Sequence, residues 1–192
     1  DIFFKPEKLI VKKENHFVHV SNFAANCKNV LGILSAFKVL QNDGYSFSLN
    51  MVGDGDDFKL AKAKVAEIGL INITFSGFLY GNDVVNAIRE AEALVMFSNY
   101  ENQPVVIAES LSLGVPVIAT TVGGIPEMLN HTNGLLVEPN EVDALAKTVA
   151  KVITKEVGFD RDQIKKDAEQ KYKGEVIAQQ FIEFYQAGGI DL

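Results

Sequence analysis

The stretch Ala93-Leu94-Val95-Met96-Phe97-Ser98-Asn99-Tyr100-Glu101-Asn102-Gln103-Pro104-Val105-Val106-Ile107-Ala108-Glu109 reads as a buried strand, a loop and the start of a helix. Ala93–Phe97 is an unbroken apolar run of strand length, the pattern of a strand covered on both faces. Pro104 suits a helix start, because its missing N–H is one that the first turn leaves unpaired. The other first-turn N–H groups point outward and favour an anion. Glu101 then falls in the loop, and Glu109, after seven intervening residues, about two turns into the helix. An ionised carboxylate offers only acceptors, so it suits ligand hydroxyls and repels phosphate, which must face amides or a cation. For an arbitrary pair of glutamates the plain alternative is a solvated loop acid and a surface helix acid.

Working outward, apolar β-branched runs recur at Phe17–Phe23, Phe47–Val52, Ile73–Phe75, Val115–Ala119 and Gly134–Val137. Helix-length stretches separate them. Val30, Leu31, Leu34, Phe37 and Leu40 keep helical spacing until Asn42-Asp43-Gly44 breaks it, and Leu145, Val149, Val152 and Ile153 repeat the pattern. Alternating strands and helices predict an α/β fold, a Rossmann-like open parallel sheet with helices on both faces. Ligands of such sheets bind at the carboxyl ends of the strands, where strand order reverses. The loops after the strands therefore carry the candidate chemistry.

In the first such loop, Ser21 to Lys28, Lys28 is a candidate phosphate cation, with a solvated lysine as the alternative. Val52-Gly53-Asp54-Gly55 permits a tight turn and close backbone approach, but lacks the G-x-G-x-x-G spacing of a dinucleotide fingerprint. Gly77-Phe78-Leu79 offers an apolar wall for a planar base, or simply core packing. Gly123-Gly124 allows either approach to a ligand or a turn at positive φ. His16, His19 and His131 have no nucleophile or metal partner at informative spacing.

At 192 residues and 47% hydrophobic composition, one domain with a substantial core is expected. A net charge of -7 with no basic block argues against nucleic acid as the main partner. The single cysteine, Cys27, cannot form an internal disulfide, and no stretch reads as a secretory signal or a bilayer span, so a cytoplasmic protein is expected. Lys155 to Lys173 is strongly charged and reads as a surface-tracking segment. Val176, Ile177, Phe181, Ile182, Phe184 and Tyr185 follow as the apolar stripe of a terminal helix docking on the body. Asp1 to Pro6 reads as a mid-protein linker, the expectation being an excised domain.

Several blocks in fixed order resemble the C-terminal domain of retaining GT-B glycosyltransferases of group 1, family 4. They are Ser98, Glu101, Glu109-Ser-Leu, Gly114-Val-Pro-Val-Ile-Ala119, Gly123-Gly124-Ile-Pro-Glu127 and Asn133-Gly134-Leu-Leu-Val137-Glu-Pro139, within a resemblance from about Phe17 to Ile153. The resemblance implies the C-terminal half of a GT-B fold, with residues 17–154 as the nucleotide-sugar-binding domain, 1–16 as linker and domain start, and 155–192 as a helical extension packing on it. It implies that Glu101 meets hydroxyls of the transferred sugar and that Glu109 holds the ribose. The Gln103 and Val105 amides meet the diphosphate within the loop Asn102-Gln103-Pro104-Val105, and Lys28 neutralises the leaving group. Leu79 and Val84 border the base, and Gly53 lies in the second loop. No metal or other cofactor is implied, since cations and helix-end amides stabilise the departing charge.

Two departures stand out. The family commonly has an Arg about five residues before the Lys, where this chain has Asn22-Phe23-Ala24 in a loop one residue longer, and glycine is frequent where it has Asn102-Gln103-Pro104. The implied acceptor, a sugar, lipid or small molecule, binds an N-terminal domain that is absent here and through which peripheral membrane contact would run. The chain alone is therefore expected to bind a nucleotide or nucleotide-sugar weakly and transfer nothing. The alternatives are a stand-alone nucleotide- or sugar-binding module, a GT-B isomerase of UDP-sugars, and a glycosidase using Glu101 and Glu109, which would set the carboxylates about 5–5.5 Å apart for retention or about 6.5–9.5 Å apart for inversion.

Overall fold

The computed structural model describes residues 2–3, 12–24 and 26–187. Six strands, β1 (His16–Val20), β2 (Ser48–Val52), β3 (Ile73–Gly77), β4 (Ala93–Met96), β5 (Val117–Thr120) and β6 (Gly134–Val137), form one sheet. Its order is β3-β2-β1-β4-β5-β6 and every pairing is parallel. The helices are α1 (Val30–Asn42), α2 (Phe58–Glu67), α3 (Asn82–Arg89), α4 (Val105–Ser112), α5 (Ile125–Met128), α6 (Val142–Ile153), α7 (Arg161–Tyr172) and α8 (Gly174–Ala187). This is the Rossmann-like arrangement expected from the alternation of apolar runs.

The period of two along each strand divides the core into two layers. Ala93, Val95 and Phe97 face a cluster built with Val30, Ile33 and Phe37 of α1 and Leu145 and Val149 of α6. Leu94 and Met96 face the other, with Val85 and Ile88 of α3 and Ile107 and Leu111 of α4. Phe37 is fully buried, its ring edge-on to Phe17 and Phe47 with centroids 5.6 and 5.0 Å away, so truncation to Ala would cost about 3–5 kcal/mol.

The structure departs from the sequence reading at identifiable points. β1 stops at Val20 rather than Phe23, because Phe23 turns the chain at φ 45 to bury its ring against Phe58 and His19. β5 starts at Val117 rather than Val115, since the Val115 N–H is donated to the Ser110 carbonyl and Pro116 has none. The charged segment after Lys155 does more than follow the surface. Its helix α7 packs on α4, burying Ile164 and Ala168 in the second cluster. The half-buried Arg161 guanidinium donates to the carbonyls of Gly114, Ala91 and Arg89 at 3.0, 3.0 and 3.3 Å, capping the ends of α3 and α4.

α8 touches α7 but buries none of its residues fully, and Phe181, Ile182, Phe184 and Tyr185 of the expected docking stripe stay exposed. α7 already covers the apolar surface beside α4. The α8 aromatics pack on one another instead, Phe181 and Phe184 each against Tyr185. Of the expected linker, residues 1 and 4–11 lie outside the described residues, while Ile2 and Phe3 pack half-buried against the second cluster.

Candidate functional site

The crevice arises where strand order reverses. β1 and β4 pair only at Phe17 with Ala93 and Val18 with Leu94, while β1 stays paired with β2 through Val20, and β4 with β5 through Met96. The carboxyl ends of β1 and β4 therefore part, as ligand-binding open sheets do. The fully buried His19 imidazole fills the split. The Val95 carbonyl can only accept, so Nδ1 carries the proton and donates to it at 2.8 Å. Nε2 then accepts from Ser21 Oγ at 2.8 Å, and Ser21 Oγ accepts the Phe23 N–H at 3.1 Å. Burial holds His19 neutral, pulling its pKa from the ordinary 6.5 down to about 4.

That chain of bonds sets the first loop, which the loop after β4 pins from the other side. The Asn99 N–H donates to the Cys27 carbonyl at 2.8 Å, and Asn99 Nδ2 to the Asn26 carbonyl at 2.9 Å. The consequence is that Lys28 Nζ meets Glu101 Oε1 at 2.6 Å. The same oxygen accepts from Ser98 Oγ at 2.8 Å, and Thr120 Oγ1 in turn holds the Ser98 carbonyl at 2.7 Å. Glu101 is 7% exposed, and among the described residues its Oε2 has no protein partner. A cavity of about 310 Å³ opens above the pair, lined by Asn22, Ala24, Cys27, Lys28, Tyr100, Glu101, Asn102 and Gln103.

Pro104 is the N-cap of α4, as the sequence suggested, and no side chain caps this helix. The Ile107 N–H turns in to the Pro104 carbonyl, and among the described residues the N–H groups of Gln103, Val105 and Val106 meet no acceptor. They form an anion-favouring end beside Glu101 and Lys28. Glu109 is the fifth residue of α4, little more than one turn in rather than two. It is half-buried, does not line the cavity, and burial raises its carboxyl above the ordinary value. Leu79 and Val84 are half-buried against the second cluster on the α3 and α4 side of the sheet.

Asn22, Lys28, Glu101, Asn102 and Gln103 thus come together, whereas the glycines approach backbone rather than open space. The Gly53 N–H is engaged by the Gly77 carbonyl at 2.7 Å, and a Cβ at Gly53, where φ is 122, would strike the Ser21 carbonyl. Gly123, at φ 55, lies against the Glu101 carbonyl, and the Gly124 N–H donates to the Asn102 carbonyl at 2.7 Å. Both glycine turns therefore build the walls of the crevice. His19 was missed as part of the site. Its available signal was His19-Val20-Ser21, two polar residues two apart in an apolar strand and therefore on one face.

Residues 1–171 match the family model for glycosyl transferases group 1. The chain belongs to that family. The match is wider at both ends than the motif blocks alone and takes in α7 of this group 1 chain. Over 154 residues it is 30% identical to an uncharacterized glycosyltransferase of Methanocaldococcus jannaschii, covering 77% of this chain and 38% of that protein. It is 28% identical to the N-acetyl-alpha-D-glucosaminyl L-malate synthase of Bacillus anthracis, over 79% of this chain and 39% of that protein. Among solved structures, the lipopolysaccharide outer core galactosyltransferase WaaB superimposes with a TM-score of 0.80 at 22% identity, over 94% of this chain and 52% of that one. Anabaena HepE in complex with UDP-glucose gives 0.80 at 23% identity, over 91% and 49%. The group 1 chain thus spans 38–39% of these curated relatives and about half of the solved chains.

Proposed function

We propose that this chain is the donor-binding part of a retaining, metal-independent hexosyltransferase that uses a nucleoside diphosphate sugar. The observation that carries the reading is the convergence of Lys28, Glu101 and the unpaired amides of α4 on one crevice where the sheet parts. The chemistry follows from donor and acceptor types. The Gln103, Val105 and Val106 amides receive the diphosphate, and the Lys28 ammonium stabilises the charge that grows on it as the glycosidic bond breaks. Glu101 Oε2 accepts hydroxyls of the transferred sugar. Glu109 accepts ribose hydroxyls, and the base rests toward Leu79 and Val84. HepE in complex with UDP-glucose supports this choice of donor class.

The acceptor, whether sugar, lipid or small molecule, binds in the portion that longer relatives possess, and any peripheral membrane contact belongs there too. Among the described residues no helix is long and apolar enough to cross a membrane. A glycosidase reading fits less well, because Glu109 does not line the cavity that Glu101 does and Glu101 is paired with a cation.

Melting temperature measured with UDP, GDP and ADP tests the reading. A nucleotide at about a hundredfold its dissociation constant adds about 2.7 kcal/mol. A rise with one nucleotide that disappears in Glu109→Ala supports the donor site and identifies the base. No rise with any of the three, nor with UDP-glucose, GDP-mannose or ADP-glucose, overturns it.

A further inference from the structure

Glu101 and a bound diphosphate compete for the same ammonium. Lys28 is the only Lys or Arg lining the cavity among the described residues, and Asn22 stands beside it with no charge. Lys28 Nζ is already held at 2.6 Å by Glu101 Oε1, in a pair whose side chains are 20% and 7% exposed. Little water screens the pair, so giving up the contact is costlier than for a surface ion pair. Ser98 Oγ donates to the same Oε1, and Oε2 has no protein donor among the described residues. When Lys28 turns toward a diphosphate, the carboxylate keeps Ser98 and needs another donor. Sugar hydroxyls are donors; a terminal phosphate is not, and it carries further negative charge.

We propose that the Lys28–Glu101 pair makes this crevice select the sugar-bearing donor over the bare nucleoside diphosphate, so that loss of the sugar restores the pair and expels the product. The inference rests on the donor-site reading above. With the sugar present, hydroxyls satisfy Glu101 Oε2 and release Lys28 to the diphosphate. Without it, the phosphate faces an unneutralised carboxylate and the ammonium returns to Oε1. Glu101 is then a specificity residue as well as a sugar contact, acting on a ligand that has no sugar to touch.

Calorimetric titration compares UDP with UDP-glucose, GDP with GDP-mannose and ADP with ADP-glucose on the wild-type chain, on Glu101→Gln and on Ser98→Ala. The wild type is expected to bind the sugar-bearing member of its preferred pair more tightly. Glu101→Gln keeps the side-chain shape and removes the charge, so it should bind the bare diphosphate about tenfold more tightly and the sugar-bearing one more weakly. Ser98→Ala removes the competing donor on Oε1 and tightens the grip on Lys28, so bare diphosphate affinity should fall about threefold. This second variant keeps the test open if Glu101→Gln fails to fold. Weaker binding of the bare diphosphate to Glu101→Gln, or tighter binding to Ser98→Ala, overturns the inference while leaving the donor site standing. No binding of any nucleotide to the wild type overturns both.

Discussion

Replacing His19 by Gln should flatten the acid side of the stability profile. Gln can donate its amide N–H toward the Val95 carbonyl and accept from Ser21 Oγ, the two bonds His19 makes at 2.8 Å, but it cannot take a proton. The wild-type imidazole titrates near 6.5 when unfolded and near 4 when buried. Between those values the unfolded chain binds more protons, so acid favours unfolding. The stability due to a neutral His19 is therefore present above pH 6.5 and is lost as the pH falls toward 4. From about pH 7 to about pH 4.5 this amounts to about 2.5 kcal/mol. Burial also lowers His16 and raises Glu109, which act in opposite senses, but both groups are present in wild type and variant and cancel in the difference. Urea unfolding of both proteins at the two pH values gives the quantity. The wild type should lose about 2.5 kcal/mol more than His19→Gln on acidification. Parallel losses would refute the buried neutral imidazole and, with it, the account of how the first loop is held.

Three further outcomes follow from the same geometry. Arg161→Met removes donors to three carbonyls and should lower stability by about 2–3 kcal/mol in urea unfolding while leaving nucleotide affinity unchanged. Gly123→Ala must fit a Cβ at φ 55 against the Glu101 carbonyl, so it should cost at least about 2 kcal/mol in thermal unfolding and displace the Glu101 loop, weakening nucleotide binding too. Because burial raises the Glu109 carboxyl, nucleotide affinity should begin to fall at a pH above the ordinary 4.5 of a glutamate as that acceptor is protonated, and titration of Glu109→Gln across the same range should show a smaller fall.

The sheet was legible because strands buried on both faces have to be continuous apolar runs, as in Ala93–Met96, and because Asn42-Asp43-Gly44 ends α1 where expected, with Gly44 at φ 85. The grouping of Lys28 with Glu101 was legible only through the order of the loops on such a sheet. What was lost depends on contacts distant in sequence. A glycine records that something comes close without recording what, and only the fold reveals that Gly53 meets the Ser21 carbonyl and Gly123 the Glu101 carbonyl. In α7 two apolar positions, Ile164 and Ala168, are enough to dock the helix, and they disappear among the surrounding charges. α8 misled in the other direction, since an apolar stripe states that a surface wants cover and not that the rest of the chain provides it.

The backbone amide resonances that move when UDP, GDP or ADP, and then UDP-glucose, GDP-mannose or ADP-glucose, is added to the ¹⁵N-labelled chain locate the bound diphosphate most directly. The largest shifts are expected at Gln103, Val105 and Val106, with Lys28 and Glu101 following, and should vanish in Lys28→Met. Shifts confined to residues away from the parted ends of β1 and β4, or none with any of these nucleotides and nucleotide sugars, would refute a diphosphate site at Lys28, Glu101 and the start of α4.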